Sequence, residues 1–88
     1  MMDVEKDIYL LLDKLKKQGV LEEYHYFSNE VINSYREFWK NKNENDLNAS
    51  LLIVIIEKTA KKYEFFKNLT EYEQELIGAL ILGYLDER

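Results

Sequence analysis

Asn68-Leu69-Thr70-Glu71-Tyr72-Glu73 lies where one long apolar segment, Leu47 to Lys67, gives way to a second, Glu71 to Asp86, and its reading decides the fold. Thr70-Glu71-Tyr72-Glu73 has the Thr-x-x-Glu form of a capping box. In that arrangement the Thr70 hydroxyl accepts from the Glu73 amide, and the Glu73 carboxylate reaches back to the Thr70 amide. A helix therefore starts at Glu71 and another ends just before Asn68. The C-terminal half is a helical hairpin.

Upstream of the junction, Leu51-Leu52-Ile53-Val54-Ile55-Ile56 is rich in β-branched residues and reads locally as a buried strand. No second convincing strand exists to pair with it, and a lone strand leaves its backbone polar groups unsatisfied. Helix is the better reading, over Leu47 to Lys67. Because that stretch is apolar all round, it is expected to be the most central element. In the helix from Glu71 to Asp86, the residues Leu76, Ile77, Leu80, Ile81 and Tyr84 are expected to face inward. Gly78 and Gly83 are read as points of close approach by a neighbour.

Towards the N-terminus, Ile8, Leu11, Leu12 and Leu15 fall at helical spacing and predict a helix over Val4 to Gln18, with Asp3 as N-cap. Lys14, Lys16 and Lys17 complement the dipole of its last turn. Gly19 supplies a left-handed C′ position, with Val20 contacting Leu15 as in a Schellman motif. A second helix is expected over Leu21 to Lys40, its stripe being Tyr24, Phe27, Val31, Tyr35 and Phe38, widened by Ile32 and Trp39. Ser28-Asn29 is the one place where it could break, and a continuous helix is favoured. Asn41 to Asp46 is polar throughout and reads as a loop. The expectation is one all-α domain over residues 1–88, an antiparallel four-helix bundle.

Composition narrows the function by exclusion. The chain has 88 residues, no cysteine and no proline, and a net charge of −5. Without cysteine there is no disulfide, thiol nucleophile or thiolate metal site. The charge disfavours nucleic acid, whose binding rests on phosphate neutralisation. The N-terminus is charged and acidic, unlike a signal peptide. The longest apolar run, Leu51 to Ile56, is far short of the about 20 residues that span a membrane. A cytoplasmic location is expected, with at most peripheral membrane contact.

His25 is the only histidine and has no companion ligand; a surface histidine is the favoured reading. There is no phosphate loop, no serine nucleophile with its base, and no His-Glu-x-x-His pair. The expectation is a non-enzyme with no cofactor and no metal. Lys58, Lys61, Lys62 and Lys67 suit a solvated helix end better than a lipid contact. Asn48-Ala49-Ser50 and Asn68-Leu69-Thr70 match glycosylation sequons, and the second is better explained as a helix junction.

The aromatics carry more information. Seven tyrosines, four phenylalanines and one tryptophan are a surplus for so small a core. Tyr24-His25-Tyr26-Phe27 cannot all face inward from one helix, and neither can every member of Phe38-Trp39 and Phe65-Phe66. Tyr and Trp are typical interface anchors, which makes Tyr26 and Trp39 candidate protein-binding residues. Glu71, Glu73 and Glu75 suit a helix N-terminus, whereas Asp86 and Glu87 oppose the dipole at the C-terminus and are candidates for a polar contact.

Leu69-Thr70-Glu71-Tyr72-Glu73-Gln74-Glu75-Leu76-Ile77 is similar to a Thr-Glu-Tyr-x-x-Glu-Leu-Ile stretch of some immunity proteins of pediocin-like (class IIa) bacteriocins. The long helix before it, Leu47 to Phe66, fits in length and order. The specific match covers nine of the 88 residues. The resemblance implies an antiparallel four-helix bundle in the cytoplasm of a low-GC Gram-positive bacterium. It implies protection of the producer from a peptide whose receptor is the mannose phosphotransferase permease, by joining the permease–bacteriocin complex from inside. In that family the C-terminal portion helps determine which bacteriocin is recognised, whereas here the sequence ends at Arg88, directly after the fourth helix; Tyr72, within the matching stretch, joins Asp86 and Glu87 as a candidate protein-binding residue. Two rival readings remain on the sequence. One is a small acidic inhibitor or antitoxin-like module for a soluble basic protein. The other is a structural homo-oligomer, down to a homodimer, that buries aromatics such as Tyr26 and Trp39.

Overall fold

A computed structural model describes residues 4–39 and 48–86, with only the backbone of Trp39. The predicted cap Asp3, the loop Asn41 to Asp46 and the candidate Glu87 lie outside the described residues. The regular structure within them is entirely helical: α1 (Val4–Lys17), α2 (Leu21–Trp39), α3 (Ala49–Ala60), α4 (Glu64–Lys67) and α5 (Glu71–Asp86). The protein is all-α.

The α1–α2 boundary follows from local chemistry. Gly19 sits at φ +76°, where a β-carbon would be strained. The Val20 amide donates to the Leu15 carbonyl at 3.0 Å and the Gly19 amide to the Lys16 carbonyl at 3.1 Å. These are the two bonds of a Schellman motif. From there α2 continues through Ser28 without a break. It packs against every other helix, and Tyr24, Phe27, Val31, Ile32 and Tyr35 on it are buried.

The centre of the fold is therefore α2 and not α3, contrary to expectation. Ile53 and Val54 of α3 are 55% and 47% exposed, and α3 buries Leu52, Ile56 and Thr59. Two further residues of the expected stripes point outward. Phe38 is exposed; the inward stripe of α2 ends one turn earlier at Tyr35, whose hydroxyl accepts from the amide of Asn48, just before α3. Tyr84 is exposed because Leu85 takes the inward position after Ile77 and Ile81, and the Arg36 guanidinium lies over the Tyr84 ring. Apolar residues are so dense in α5 that spacing alone does not separate these two choices.

The predicted third helix, Leu47 to Lys67, is two helices. Asn48 caps the first, its side-chain oxygen accepting from the Leu51 amide at 3.0 Å. After Ala60 the chain tightens, the Lys62 and Tyr63 amides donating three residues back to Thr59 and Ala60. Tyr63 is then extended and α4 starts at Glu64. The turn has no glycine or proline. Beyond the turn, Phe65 and Phe66 are both buried, where the sequence reading places only one of such a pair inward. Phe66 stacks on Phe27 at 4.9 Å between centroids, and Phe65 meets Phe27 edge-on at 5.7 Å. Aromatic contacts of this kind add about 0.5–1.5 kcal/mol each beyond area burial. Glu30 of α2 holds the turn from outside. Its carboxylate accepts from Lys62 Nζ at 2.6 Å and from the Tyr63 hydroxyl at 3.1 Å.

Candidate protein-binding groove

The capping box predicted at Thr70 is present. The Glu73 amide donates to Thr70 Oγ1 at 3.1 Å, and the Thr70 amide donates to Glu73 Oε1 at 2.9 Å. The second carboxylate oxygen of Glu73 accepts from Lys14 Nζ at 2.8 Å, which ties the start of α5 to α1. These bonds, Lys14 first, hold the Glu73 carboxyl below its ordinary value. Next to it the Tyr72 hydroxyl donates to Asp7 of α1 at 2.5 Å. That bond, with partial burial, pushes the Tyr72 hydroxyl up to about 12.

The structure does not gather the sequence candidates into one site. Tyr72 is half-buried and committed to Asp7. Asp86 is exposed at the far end of α5, about 21 Å along the helix from Tyr72 at 1.5 Å per residue. Tyr26 is 57% exposed, its hydroxyl donating to Glu22 one turn away on α2. Trp39 ends α2, and its side chain, like Glu87, is outside the described residues. His25 is exposed beside the Tyr24 ring. Among the described residues no group of three or more His, Cys, Asp or Glu is placed to hold a metal ion. None of the described helices is long and apolar enough to cross a membrane.

The feature that sequence reasoning missed is a cleft of about 450 Å³ between α3 and α5. From α3 it is lined by Ala49, Leu52, Ile53, Ile56 and Glu57, one continuous stripe at helical spacing. From α5 the stripe is Glu71, Gln74, Glu75, Gly78, Ala79 and Leu82. The helices meet where Gly78 faces Ile56: a β-carbon at Gly78 would lie 3.8 Å from Ile56 Cδ1, an ordinary contact. At Gly83 no neighbour comes within 4 Å, so that glycine serves no close approach. Phe66 closes one end of the cleft, and there the Gln74 amide nitrogen donates to the carbonyls of Phe66 and Leu69.

The lining is unusual in its charge. It contains three carboxylates and no Lys or Arg, and Glu57, Glu71 and Glu75 have no ion-pair partner among the described residues. The four basic residues read as a cluster lie elsewhere: Lys62 pairs with Glu30, Lys67 with Glu64, and Lys58 and Lys61 are exposed. Chemically the cleft offers an apolar floor and an anionic edge. The sequence signal for it was the all-round apolarity of α3. A helix that is apolar all round either sits at the centre or has a face awaiting a partner.

A comparison with protein-family models, curated proteins and solved structures finds no match to this chain.

Proposed function

We propose that this chain is a non-enzymatic, immunity-type binding protein. It protects its producer from a bacteriocin through protein–protein contacts at a membrane permease–peptide complex, and the α3–α5 groove is its contact surface. In this reading the chain is an antiparallel four-helix bundle, with α4 as the joint between its third and fourth members. The observation that carries the reading is the groove itself, an apolar cleft with exposed Ile53 at its lip and carboxylates gathered towards one end. The hairpin that makes it is the part of the chain resembling the pediocin-immunity family.

The test is survival of a bacteriocin-sensitive Gram-positive strain, with and without this gene, against a panel of pediocin-like peptides. Protection from one or a few peptides is the expected result, and it is lost with Ala79→Trp, which fills the groove from an exposed position. No protection from any peptide, with folded protein detected in the cells, overturns the immunity role. A second reading, an inhibitor of a soluble basic protein, is favoured by the three carboxylates of the groove and the net charge of −5. Its signature is binding that weakens steeply with salt.

A further inference from the structure

We infer that the occupant of the α3–α5 groove is an amphipathic helix of a partner polypeptide, apolar on one face and basic at one end. This rests on the reading of that groove as the contact surface and adds the chemistry of what enters it.

Shape comes first. The α5 stripe runs from Glu71 to Leu82, which is about 16 Å at 1.5 Å per residue, or three helical turns. The α3 stripe from Ala49 to Glu57 is about 12 Å by the same measure. Between two such rows, the small residues Ala49, Gly78 and Ala79 leave a furrow whose walls are Leu52, Ile53 and Leu82. A third helix laid along it would place side chains at i, i+3, i+4 and i+7 into the furrow, the usual way a helix fills a groove. A small polar ligand is poorly served, because such sites depend on a few convergent polar groups in the floor. Here the one floor carboxamide, Gln74, is already bonded to Phe66 and Leu69.

Charge then selects the sign and the direction. All three carboxylates stand on the portions of α3 and α5 that lead into α4: Glu57 late in α3, Glu71 and Glu75 early in α5. The other portions contribute Ala49, Leu52, Ile53 and Leu82, with no charge. One end of the furrow is anionic and the other apolar. A partner helix with Lys or Arg at one end meets the carboxylates with that end and gives each an opposite charge beside a low-dielectric wall. A helix with Glu at those positions meets like charges and is rejected.

The experiment uses the whole chain and two labelled synthetic peptides of about three helical turns. Both carry Leu at helical spacing; one has Lys at one end and the other has Glu there. Fluorescence anisotropy is read at low and at physiological salt. The expected result is at least about tenfold tighter binding of the Lys peptide, shrinking as salt rises. Glu57→Lys with Glu75→Lys should invert the preference, and Ala79→Trp should abolish binding of both peptides. Melting curves of each variant separate loss of binding from loss of fold. Equal affinity for the two peptides, no binding of the Lys peptide, or unchanged binding by a folded Ala79→Trp variant overturns the inference. So does a self-associated protein that Ala79→Trp returns to monomer, since the groove would then hold a second copy. Protection of cells that fails with Ala79→Trp, alongside indifference to peptide charge, leaves the proposed function standing and removes this inference. Charge preference without protection from any bacteriocin does the reverse.

Discussion

Lys14 of α1 and Glu73 of α5, 59 positions apart, meet at 2.8 Å through the same carboxylate that closes the capping box at Thr70. One side chain thus starts α5 and docks it on α1. Glu73 is well covered, at 16% side-chain exposure against 42% for Lys14, so the pair is less screened than a free surface pair. Glu73→Ala is expected to lower stability by about 1 kcal/mol for the cap and a few tenths more for the pair. Glu73→Gln keeps much of the box and loses the charge. Chemical denaturation of both variants, with Lys14→Met to complete a cycle, checks the split.

The acid limb of stability follows from the same carboxylate and from Glu30. Both are held below the ordinary glutamate value of 4.5, Glu73 chiefly by Lys14 and Glu30 chiefly by Lys62. A lowered folded-state value means that the folded protein binds fewer protons than the unfolded chain. Their contribution is present above 4.5 and is lost as pH falls through the lowered values. Thermal melts from neutral to acid pH should show a flatter acid limb for Glu73→Gln with Glu30→Gln. The variant and the parent should converge at the acid end.

At alkaline pH the Tyr72–Asp7 bond acts with the opposite sign. Tyr72 titrates at about 12 rather than 10.0, so the bond is present below 10 and is lost as pH rises towards 12. Phenolate absorbance of the folded protein should show a late step that is missing from Tyr72→Phe. The same variant should lose the fall in stability that accompanies this step.

Phe27 is fully buried and touches Tyr63, Phe65 and Phe66, which makes it the socket for the α3–α4 turn. Phe27→Ala should cost about 3–5 kcal/mol, a large share of the stability of a small domain. Denaturant titration followed by helical circular dichroism reads it directly.

Gly83 is exposed inside α5 with open space around it, and Gly78 has room for a methyl group against Ile56. Each Gly→Ala change should stabilise the protein by about 0.5–1 kcal/mol through helix propensity. A rise in melting temperature checks this. Destabilisation by Gly83→Ala would contradict the packing described.

The elements that sequence alone determined are those fixed by neighbours along the chain. Thr70 and Glu73 are three residues apart, and Gly19 lies two residues past the helix it ends. Each is a hydrogen-bonding or steric matter settled within a turn or two of helix, so pattern and residue type suffice. The tertiary structure decided what depends on residues far apart. Between Ala60 and Tyr63 there is no helix breaker, yet the helix ends there, and beyond the turn Phe65 and Phe66 pack on Phe27, a contact 38 or more positions away along the chain that no local pattern encodes. Which of Tyr84 and Leu85 faces inward is settled by how α5 docks: Leu85 is buried with Ile77 and Ile81, and Tyr84 lies outside with the Arg36 guanidinium over its ring. The groove was invisible for the same reason. Its two stripes are each legible in the sequence, but only the lateral placement of α5 against α3, packed side by side at Gly78 and Ile56, turns two apolar stripes and three glutamates into one cleft.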